Sequence, residues 1–254
     1  ESNGNQQLSS SVKGVDIKID NLYFSYIKDK PLLKNISLES KANEKGAIIG
    51  ASGSGKTTLA QLASGFYTKN SGSIHYNNIS IDDIDKQSLR NSIFLVLQMP
   101  ILFNNTLRFN ITMGNEKIED EEIFKALSIA QLDDMISNTT DGLDTIVGKH
   151  GMRLSGGQRQ RLSIARMIIT NPQLVIFDDS TSALDVNTAL NLFNSLKPIL
   201  ENKTVITIAH RLSTVKNAHK IFVLDDGKLV QSGIHEELEL EEGHYQDFLK
   251  NQLV

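Results

Sequence analysis

The sequence predicts an α/β fold with a mostly parallel sheet, an antiparallel β flank and an inserted helical subdomain. Short apolar runs of the kind found in buried parallel strands alternate with helical patterns, as at residues 47–49 and 174–177. Several alternating strand patterns precede the first helix, which indicates an antiparallel flank attached to the α/β core. Between about residues 99 and 165, strand-like alternation disappears and helical spacing replaces it.

The composition is that of an ordinary globular chain, and it excludes several classes of protein. The 254 residues can bury a sizeable core, either as one large domain or as a core with a subdomain. A net charge of −4 does not favour nucleic acid, so no nucleic-acid partner is expected. The absence of cysteine excludes a disulfide scaffold, and no apolar stretch approaches the roughly 18 residues of a membrane span.

The first hundred residues predict a linker, the β flank and the start of the core. Residues 1–13 are rich in Ser, Asn and Gln without periodicity, so we expect a flexible linker there and one domain over residues 14–254. Alternating apolar residues predict strands from Val15 to Tyr26 and around residues 33–38. The patterns that follow predict a strand at 47–49, a helix at 59–66, strands at 74–76 and 79–81, a helix at 86–92 and a buried strand at 93–97.

The remainder of the chain predicts the inserted helices and the rest of the core. Within the helical subdomain, apolar residues at helical spacing occur between Ile123 and Ala130, behind three acidic residues that favour a helix start. A strand at 174–177, a helix at 190–200 and a strand at 205–208 follow. Residues 221–224 and 228–231 are typical of a hairpin across Asp225-Asp226-Gly227.

Residues 46–58 contain an apolar strand, a glycine-rich loop and the start of a helix. The loop has the spacing Gly50-x-x-x-x-Gly55-Lys56-Thr57, which in this context is the phosphate-loop motif of nucleoside triphosphatases. Glycines let successive backbone N–H groups surround an anion, and the helix adds its positive end. A tight turn with a solvated lysine is the alternative, but the full spacing favours a bound nucleotide. The predicted nucleotide-binding residues of the loop are Gly50, Ser52, Gly53, Ser54, Gly55, Lys56, Thr57 and Thr58.

Two carboxylates end the apolar run at residues 174–177. A buried strand that delivers acid at its carboxyl end is where an α/β sheet places ligand chemistry. We expect Asp178 to hold Mg²⁺ beside the Thr57 hydroxyl, and Asp179 to orient or polarise the attacking water. A solvated turn after a strand can have the same sequence, so this prediction depends on the phosphate loop upstream.

A second anion-binding helix start follows the inserted helices. The residues Leu154-Ser155-Gly156-Gly157-Gln158 precede a stretch at helical spacing, which places serine and two glycines at a helix N-terminus. An ordinary N-cap with loop glycines is the alternative. The chain thus has two predicted phosphate-binding elements, whereas one triphosphate bound at the loop needs a second element to cover its open side. This favours a head-to-tail dimer with ATP between the loop of one subunit and Ser-Gly-Gly of the other.

These motifs together resemble the nucleotide-binding domain of an ATP-binding cassette (ABC) protein, and the resemblance covers nearly the whole chain from about Val15. The five residues Leu154–Gln158 are very specific to that family. The set that carries the resemblance is Gly50–Thr57, Gln98, Leu154–Gln158, Leu174–Asp178, Ser182-Ala183-Leu184-Asp185 and His210. Tyr26, Thr145–Gly151 and Ala209–Val215 resemble the exporter branch in particular.

The resemblance implies ATP and Mg²⁺ as cofactors and a role for each matching residue. Tyr26 would stack on adenine, and Gln98 would contact Mg²⁺ and water as a metal and catalytic residue. His210 would contact the γ-phosphate, Asp185 would communicate across the dimer, and Leu154–Gln158 would act on the nucleotide of the other subunit. These roles make the chain an ATPase coupled to transport.

The resemblance also implies the partners. They are a second nucleotide-binding domain, as a homodimer or a heterodimer, and the coupling helices of a transmembrane domain. Met99–Ile111 resembles the stretch that receives those helices. We therefore expect a chain cut from a half-transporter whose membrane part precedes Glu1, placed at the cytoplasmic face of a membrane.

The sequence departs from the family pattern at two positions. Asp179 stands where the family usually has Glu, which predicts good ATP binding and slow hydrolysis at the site around this chain's loop. Lys149 stands where the family often has Glu. Two other functions stay open: a soluble ABC ATPase of DNA repair, translation or cofactor assembly, and a slow-turnover, ATP-gated dimerisation module that Asp179 would favour.

Overall fold

A computed structural model of the chain describes residues 4–8, 13–148, 151–179 and 184–251. Its strands are β1 Ile17–Phe24, β2 Leu33–Ser40, β3 Lys45–Gly50, β4 Ser71–Tyr76, β5 Ile79–Ser80, β6 Ile93–Val96, β7 Asn105–Thr106, β8 Ile146–Val147, β9 Leu174–Asp178, β10 Thr204–Ile208, β11 Lys220–Asp225 and β12 Lys228–Gly233. Its α-helices are α1 Lys56–Ala63, α2 Lys86–Ser92, α3 Leu107–Thr112, α4 Asp120–Ile129, α5 Asp133–Ser137, α6 Gly156–Thr170, α7 Val186–Leu200, α8 Leu212–Lys216, α9 His235–Leu238 and α10 His244–Asn251. A 3₁₀ turn spans Gly142–Asp144.

The chain divides into two compact units. The core unit comprises Glu1–Leu95, Gln173–Asp178 and Asn202–Val254, and the helical unit comprises Val96–Pro172 and Asp179–Glu201. The expected insertion, about residues 99–165, is therefore shorter than the helical unit. The difference is mainly α7, which packs against α4 and whose Ser195 hydroxyl accepts a 3.1 Å hydrogen bond from the Gln131 amide.

The principal sheet of the core unit has six strands in the order β12-β11-β3-β10-β9-β6. β3 is parallel to both β10 and β11, and β10 is parallel to β9. The register pairs Gly50 with Leu224 and Asp178 with Ile208. Because parallel strands end at the same edge, the phosphate loop, Asp178 and the segment that leads to His210 all leave the sheet on one side.

The second sheet of the core unit is the antiparallel flank, in the order β2-β1-β4-β5. β1 pairs antiparallel with both β2 and β4, and its inward residues, such as Ile17 and Ile19, are fully buried. The α/β class with a mostly parallel sheet and an antiparallel flank is thus confirmed.

The segment expected to be a flexible linker differs from that expectation over residues 4–8. Gln6 forms a parallel bridge to Ile84, donates its N–H to the Asp83 carbonyl and accepts from the Asp85 N–H. The Leu8 side chain is buried. The bridge at Gln6 and the buried Leu8 side chain order this short polar stretch, although its composition is that of a linker.

Two helices begin earlier than the apolar periodicity predicts. α1 runs from Lys56 to Ala63 rather than over 59–66, since the glycine loop ends at Gly55 and Gly65, at φ +73°, lies beyond the helix end. α7 begins at Val186 rather than 190 because the Asp185 side chain caps it. In both helices the first turn is polar or exposed, so periodicity alone does not reveal it.

Across the described residues, no helix is both long enough and apolar enough to span a membrane.

Candidate nucleotide-binding site

The phosphate loop needs glycine at two positions for different reasons. A Cβ on Gly50 would lie 2.0 Å from the Leu224 carbonyl oxygen, so only glycine permits β11 to pair this closely at the loop entrance. Gly53 has φ +80° and no atom within 4 Å of an ideal Cβ position. A side chain at Gly53 would meet open space, so it is the positive φ that favours glycine there, and that conformation is typical of loops whose N–H groups surround an anion.

Lys56 is the first residue of α1, and its side chain is folded into the loop. It is only 6% exposed. Its ammonium donates to the carbonyl oxygens of Gly50 and Ala51 at 2.8 and 2.7 Å, and more weakly to the Ser54 hydroxyl at 3.4 Å. Burial lowers the pKa of Lys56, while the charge of Asp178 opposes that shift. An anion in the loop would supply the charge partner that these neutral acceptors do not provide.

Asp178 and Thr57 lie together in the core unit. The Thr57 hydroxyl donates to a carboxylate oxygen of Asp178 at 3.2 Å, and Asp178 is buried at the end of β9. Hydroxyl and carboxylate oxygens are the ligands that Mg²⁺ prefers, usually with substrate phosphates completing its shell. The donor set present here fits that ion.

Tyr26 lies in the loop after β1 and is 54% exposed. Its ring packs edge-on against Phe24 and Tyr67, with centroids 4.9 and 5.3 Å apart. Its hydroxyl is 3.1 Å from the hydroxyl of Thr58 and donates to Gln61 at 3.3 Å. The ring is thus held by two aromatic neighbours and by its hydroxyl, and about half of the residue remains exposed. An exposed, positioned aromatic ring is what base stacking requires.

Two of these supporting residues, Gln61 and Tyr67, were missed by sequence reasoning. Gln61 lies on α1 without a motif, and Tyr67 lies in a polar stretch with no periodicity. Thr58 stays a predicted nucleotide-binding residue, and the structure adds that its hydroxyl lies 3.1 Å from the Tyr26 hydroxyl. No sequence signal distinguishes such a support from an ordinary surface residue.

Gln98 and Asp179 are brought together in the helical unit. The Gln98 amide donates to a carboxylate oxygen of Asp179 at 3.1 Å. Asp179 has φ +43°, in the left-handed region that Asp enters more readily than most side chains. The structure thus pairs two of the residues that the sequence predicts to act on water.

The residues Leu154–Gln158 form a capped helix start. The Ser155 hydroxyl accepts from the Gln158 N–H at 3.1 Å, and the Gln158 side chain accepts from the Ser155 N–H at 2.8 Å, so α6 begins with a complete capping box. Gly156 and Gly157 form the first turn of this 15-residue helix. A helix N-terminus without Cβ atoms at its first two positions presents backbone N–H groups and a positive dipole end to an anion.

The Ser155 cap predicts a stability effect. Ser155→Ala should lower the free energy of unfolding by about 1 kcal/mol, the usual effect of losing an N-cap. Urea denaturation of the nucleotide-free chain measures it. Ser155→Asn, which retains a capping oxygen, serves as the matched control and should unfold near the native midpoint. Equal midpoints for the alanine and asparagine variants would contradict the capping role.

The remaining predicted site residues that the structure describes, Asp185 and His210, are both exposed. Asp185 is exposed and caps α7 by accepting the Thr188 N–H at 2.9 Å, a hydrogen bond that lowers its pKa. His210 is exposed, two residues beyond the end of β10. Communication by Asp185 and phosphate contact by His210 stay predictions. Four residues of the resembling segments lie outside the described residues: Lys149, His150, Ser182 and Ala183.

The glycine cradle between β3 and α1, with the enclosed Lys56, is the phosphate-binding element of a nucleoside triphosphate site. Asp178 ends β9, two strands away from β3 in the same sheet. The family model described as "ABC transporter" matches residues 33–182. The chain belongs to this family, and it is an ATPase domain of the type found in ABC exporters.

Relatives of the chain agree with that assignment. It is 45% identical to an ATP-dependent lipid A-core flippase of Thiobacillus denitrificans, over 86% of this chain and 38% of the relative. It is 41% identical to the human mitochondrial iron-sulfur clusters transporter ABCB7, over 86% of this chain and 29% of the relative. The structure of a bacterial Atm1-family ABC exporter with ATP bound matches with a TM-score of 0.89 at 34% identity, over 99% of this chain and 45% of that one. The chain therefore spans less than half the length of these relatives.

Proposed function

We propose that this chain is the ATP-hydrolysing motor domain of a membrane ABC exporter, at the cytoplasmic face of the membrane. The observation that supports this most is that one chain carries both a phosphate cradle, Gly50–Thr57, and a capped glycine helix start, Leu154–Gln158. The relatives named above are transporters, which favours this function over a soluble ABC ATPase. The transported substrate would be selected by the membrane part.

In the proposed reaction, Lys56 holds the β and γ phosphates and Tyr26 orients the adenine. Thr57 and Asp178 would hold Mg²⁺, and Gln98 is predicted to contribute a further ligand. When bound, Mg²⁺ neutralises charge that develops on the phosphate oxygens. Asp179 would orient or polarise the attacking water and accept its proton. The water oxygen would bond to the γ-phosphorus while the bond from the γ-phosphorus to the β-phosphate oxygen breaks, and the proton would pass on to the products, ADP and phosphate.

The proposed partner is a second nucleotide-binding domain, arranged head to tail. In that arrangement the N–H groups at the start of α6 close the nucleotide held by the partner's phosphate loop. Either another copy of this chain or a different subunit could occupy that position. Asp185 would contact the partner near the shared nucleotide. His210 would contact the γ-phosphate of the bound ATP.

The proposed contact to the membrane part is the segment 99–111 of the helical unit. Three of its apolar side chains are exposed, namely Met99 at 79%, Ile101 and Phe103. An exposed apolar group of this size supports an interaction surface, and the coupling helices of a transmembrane domain are the proposed partner.

Magnesium-dependent phosphate release from ATP tests the proposed function. The native chain should release phosphate slowly, and release should stop when EDTA removes the metal. The Asp179→Glu variant supplies a faster form if the native rate is near background. Absence of metal-dependent release in both forms would contradict the proposal.

Tyr26 predicts a separate effect on nucleotide affinity. Tyr26→Ala should weaken ATP binding by about tenfold, because base stacking on an aromatic side chain contributes about 1–3 kcal/mol. Tyr26→Phe keeps the ring but loses the contacts to Thr58 and Gln61, so its loss should be smaller. Calorimetric titration measures both, with Tyr23→Ala, an exposed tyrosine on β1, as the control that should bind normally. Equal affinity for Tyr26→Ala and the native chain would contradict stacking.

A second candidate function is an ATP-gated dimerisation module that barely turns over, and Asp179 is the observation that favours it. ATPase assays with and without a subunit that has Glu at the equivalent position distinguish the two. A motor domain should gain turnover in the mixture, whereas a pure gating module should dimerise with ATP and still hydrolyse it negligibly.

A further inference from the structure

A buried glutamine on α6 forms a hydrogen bond to the backbone of Gln98. Gln160 is 1% exposed, and its amide nitrogen donates to the Gln98 carbonyl oxygen at 2.9 Å. The other end of the same amide, Oε1, is buried and has no hydrogen-bond partner among the described residues. The amide is thus oriented by Gln98 alone, because rotating it would set oxygen against oxygen.

The same helix holds the far end of the segment that starts at Gln98. The guanidinium of Arg166 is buried, which lowers its pKa to about 10. It donates to the Ile101 carbonyl at 2.8 Å and to the side-chain oxygen of Asn110 at 2.9 Å, and it also bonds the Asn110 carbonyl. Asn110 in turn accepts from the Phe103 N–H and donates to the Phe103 and Thr106 carbonyls. The segment 98–110 is therefore tied to α6 at both ends.

These contacts form one connected path inside the helical unit. Asp179 accepts from the Gln98 side chain, and the Gln98 carbonyl accepts from Gln160. Gln160 lies five residues after Ser155, in the second turn of the helix that the capping box starts. The predicted water-activating group of this chain is thereby connected to the helix start that, in the proposed function, serves the partner's nucleotide.

We propose that Gln160 is a positioning residue. Its hydrogen bond would fix the backbone of Gln98 relative to the start of α6, and so fix the position of the Gln98–Asp179 pair. The proposal rests on the proposed function, since it gives Gln98 and Asp179 their roles. It goes further because the buried Gln160 amide would connect Asp179, which acts on this chain's nucleotide, to α6, whose start closes the nucleotide of the partner.

The chemistry of the site argues against a purely stabilising role for Gln160. A buried position that serves only packing is served equally well by an apolar side chain, because an unpaired buried acceptor such as Oε1 is unfavourable. Leucine has nearly the same shape and leaves no unpaired acceptor. Gln160→Leu should therefore change stability little while it releases the Gln98 carbonyl.

The experiment compares Gln160→Leu with the native chain, each also in the Asp179→Glu background. Binding of Mn²⁺ to the ATP-saturated protein, followed by electron paramagnetic resonance, should weaken by about tenfold, as is usual when a group behind a metal ligand is lost. The kcat for ATP should fall by a similar factor, about tenfold. ATP affinity without metal and the thermal midpoint should stay near the native values. Thr170→Val, which removes a hydroxyl bond within α6, is the matched control and should behave as native.

A double-mutant cycle with Gln98→Ala completes the test. Once the Gln98 side chain is absent, Gln160→Leu should have no further effect on Mn²⁺ binding or kcat. Additive effects, or a Gln160→Leu variant that loses thermal stability but keeps native Mn²⁺ affinity and kcat, would overturn the proposal. Failure of the native and Asp179→Glu chains to hydrolyse ATP with metal would instead overturn the proposed function itself.

Discussion

Replacing Asp179 with glutamate is expected to raise the rate of ATP hydrolysis by about 100-fold. The aspartate side chain is shorter by one methylene, about 1.5 Å of reach. A misplacement near 1 Å in a reacting group can cost about 10²-fold in rate, or about 2.7 kcal/mol of barrier. Steady-state phosphate release at saturating ATP and Mg²⁺ measures the change, which should appear in kcat with little change in ATP affinity.

The matched control for this prediction is Asp179→Gln, which has the length of glutamate without its charge. It should hydrolyse no faster than the native chain, because an amide cannot accept the proton of water. The left-handed backbone at Asp179, with φ +43°, is less favourable for glutamate, so circular dichroism should confirm that each variant is folded. Unchanged turnover in a folded Asp179→Glu chain would show that this side chain does not limit hydrolysis.

Replacing Lys56 with alanine is expected to weaken ATP binding by about 100-fold. Hydrogen bonds to charged groups contribute about 1.5–3 kcal/mol, and an enclosed ammonium makes several with a triphosphate. The ammonium already lies inside the loop, within 2.8 Å of the Gly50 and Ala51 carbonyls, so the cradle is largely preorganised for an anion. Calorimetric titration with ATP measures the loss.

Lys56→Met is the matched control for loss of packing, since it retains an unbranched apolar stem without the charge. Methionine and alanine should weaken ATP binding to a similar degree, with Lys56→Met nearer the native thermal stability. Native ATP affinity in Lys56→Ala would show that the phosphate loop does not bind the nucleotide through this lysine. A large affinity loss in alanine but not in methionine would assign the effect to packing instead of charge.

Much of the fold was predictable because its signals are local. The phosphate loop depends on glycine spacing and on a strand and helix that are adjacent in sequence. Asp178 depends on an apolar run that ends in acid, and the capping box of α6 is contained in Ser155–Gln158. Each of these features needs only a few consecutive residues, so the sequence predicts their geometry without knowledge of the tertiary structure.

What sequence reasoning missed depends on contacts between distant residues. The Tyr26 hydroxyl is held by Thr58 and Gln61, more than 30 residues away, and Gln160 reaches Gln98 across 62 positions. Similarly, α7 follows a core strand in sequence but packs within the helical unit. Periodicity shows which face of a helix is buried, but not which segment covers it.

In the proposed dimer, ATP is closed between the phosphate loop of one chain and the start of α6 of another. Because both the phosphate loop and the start of α6 lie on this chain, we expect two copies of it to be able to form the proposed closed dimer. Sedimentation velocity of Asp179→Asn, which should bind ATP without hydrolysing it, measures whether ATP brings two chains together. We expect the mass of one chain without nucleotide and the mass of two chains with ATP and Mg²⁺. The double variant that also carries Lys56→Ala should keep the mass of one chain under both conditions. A species that stays at one-chain mass at saturating ATP and Mg²⁺ would contradict it.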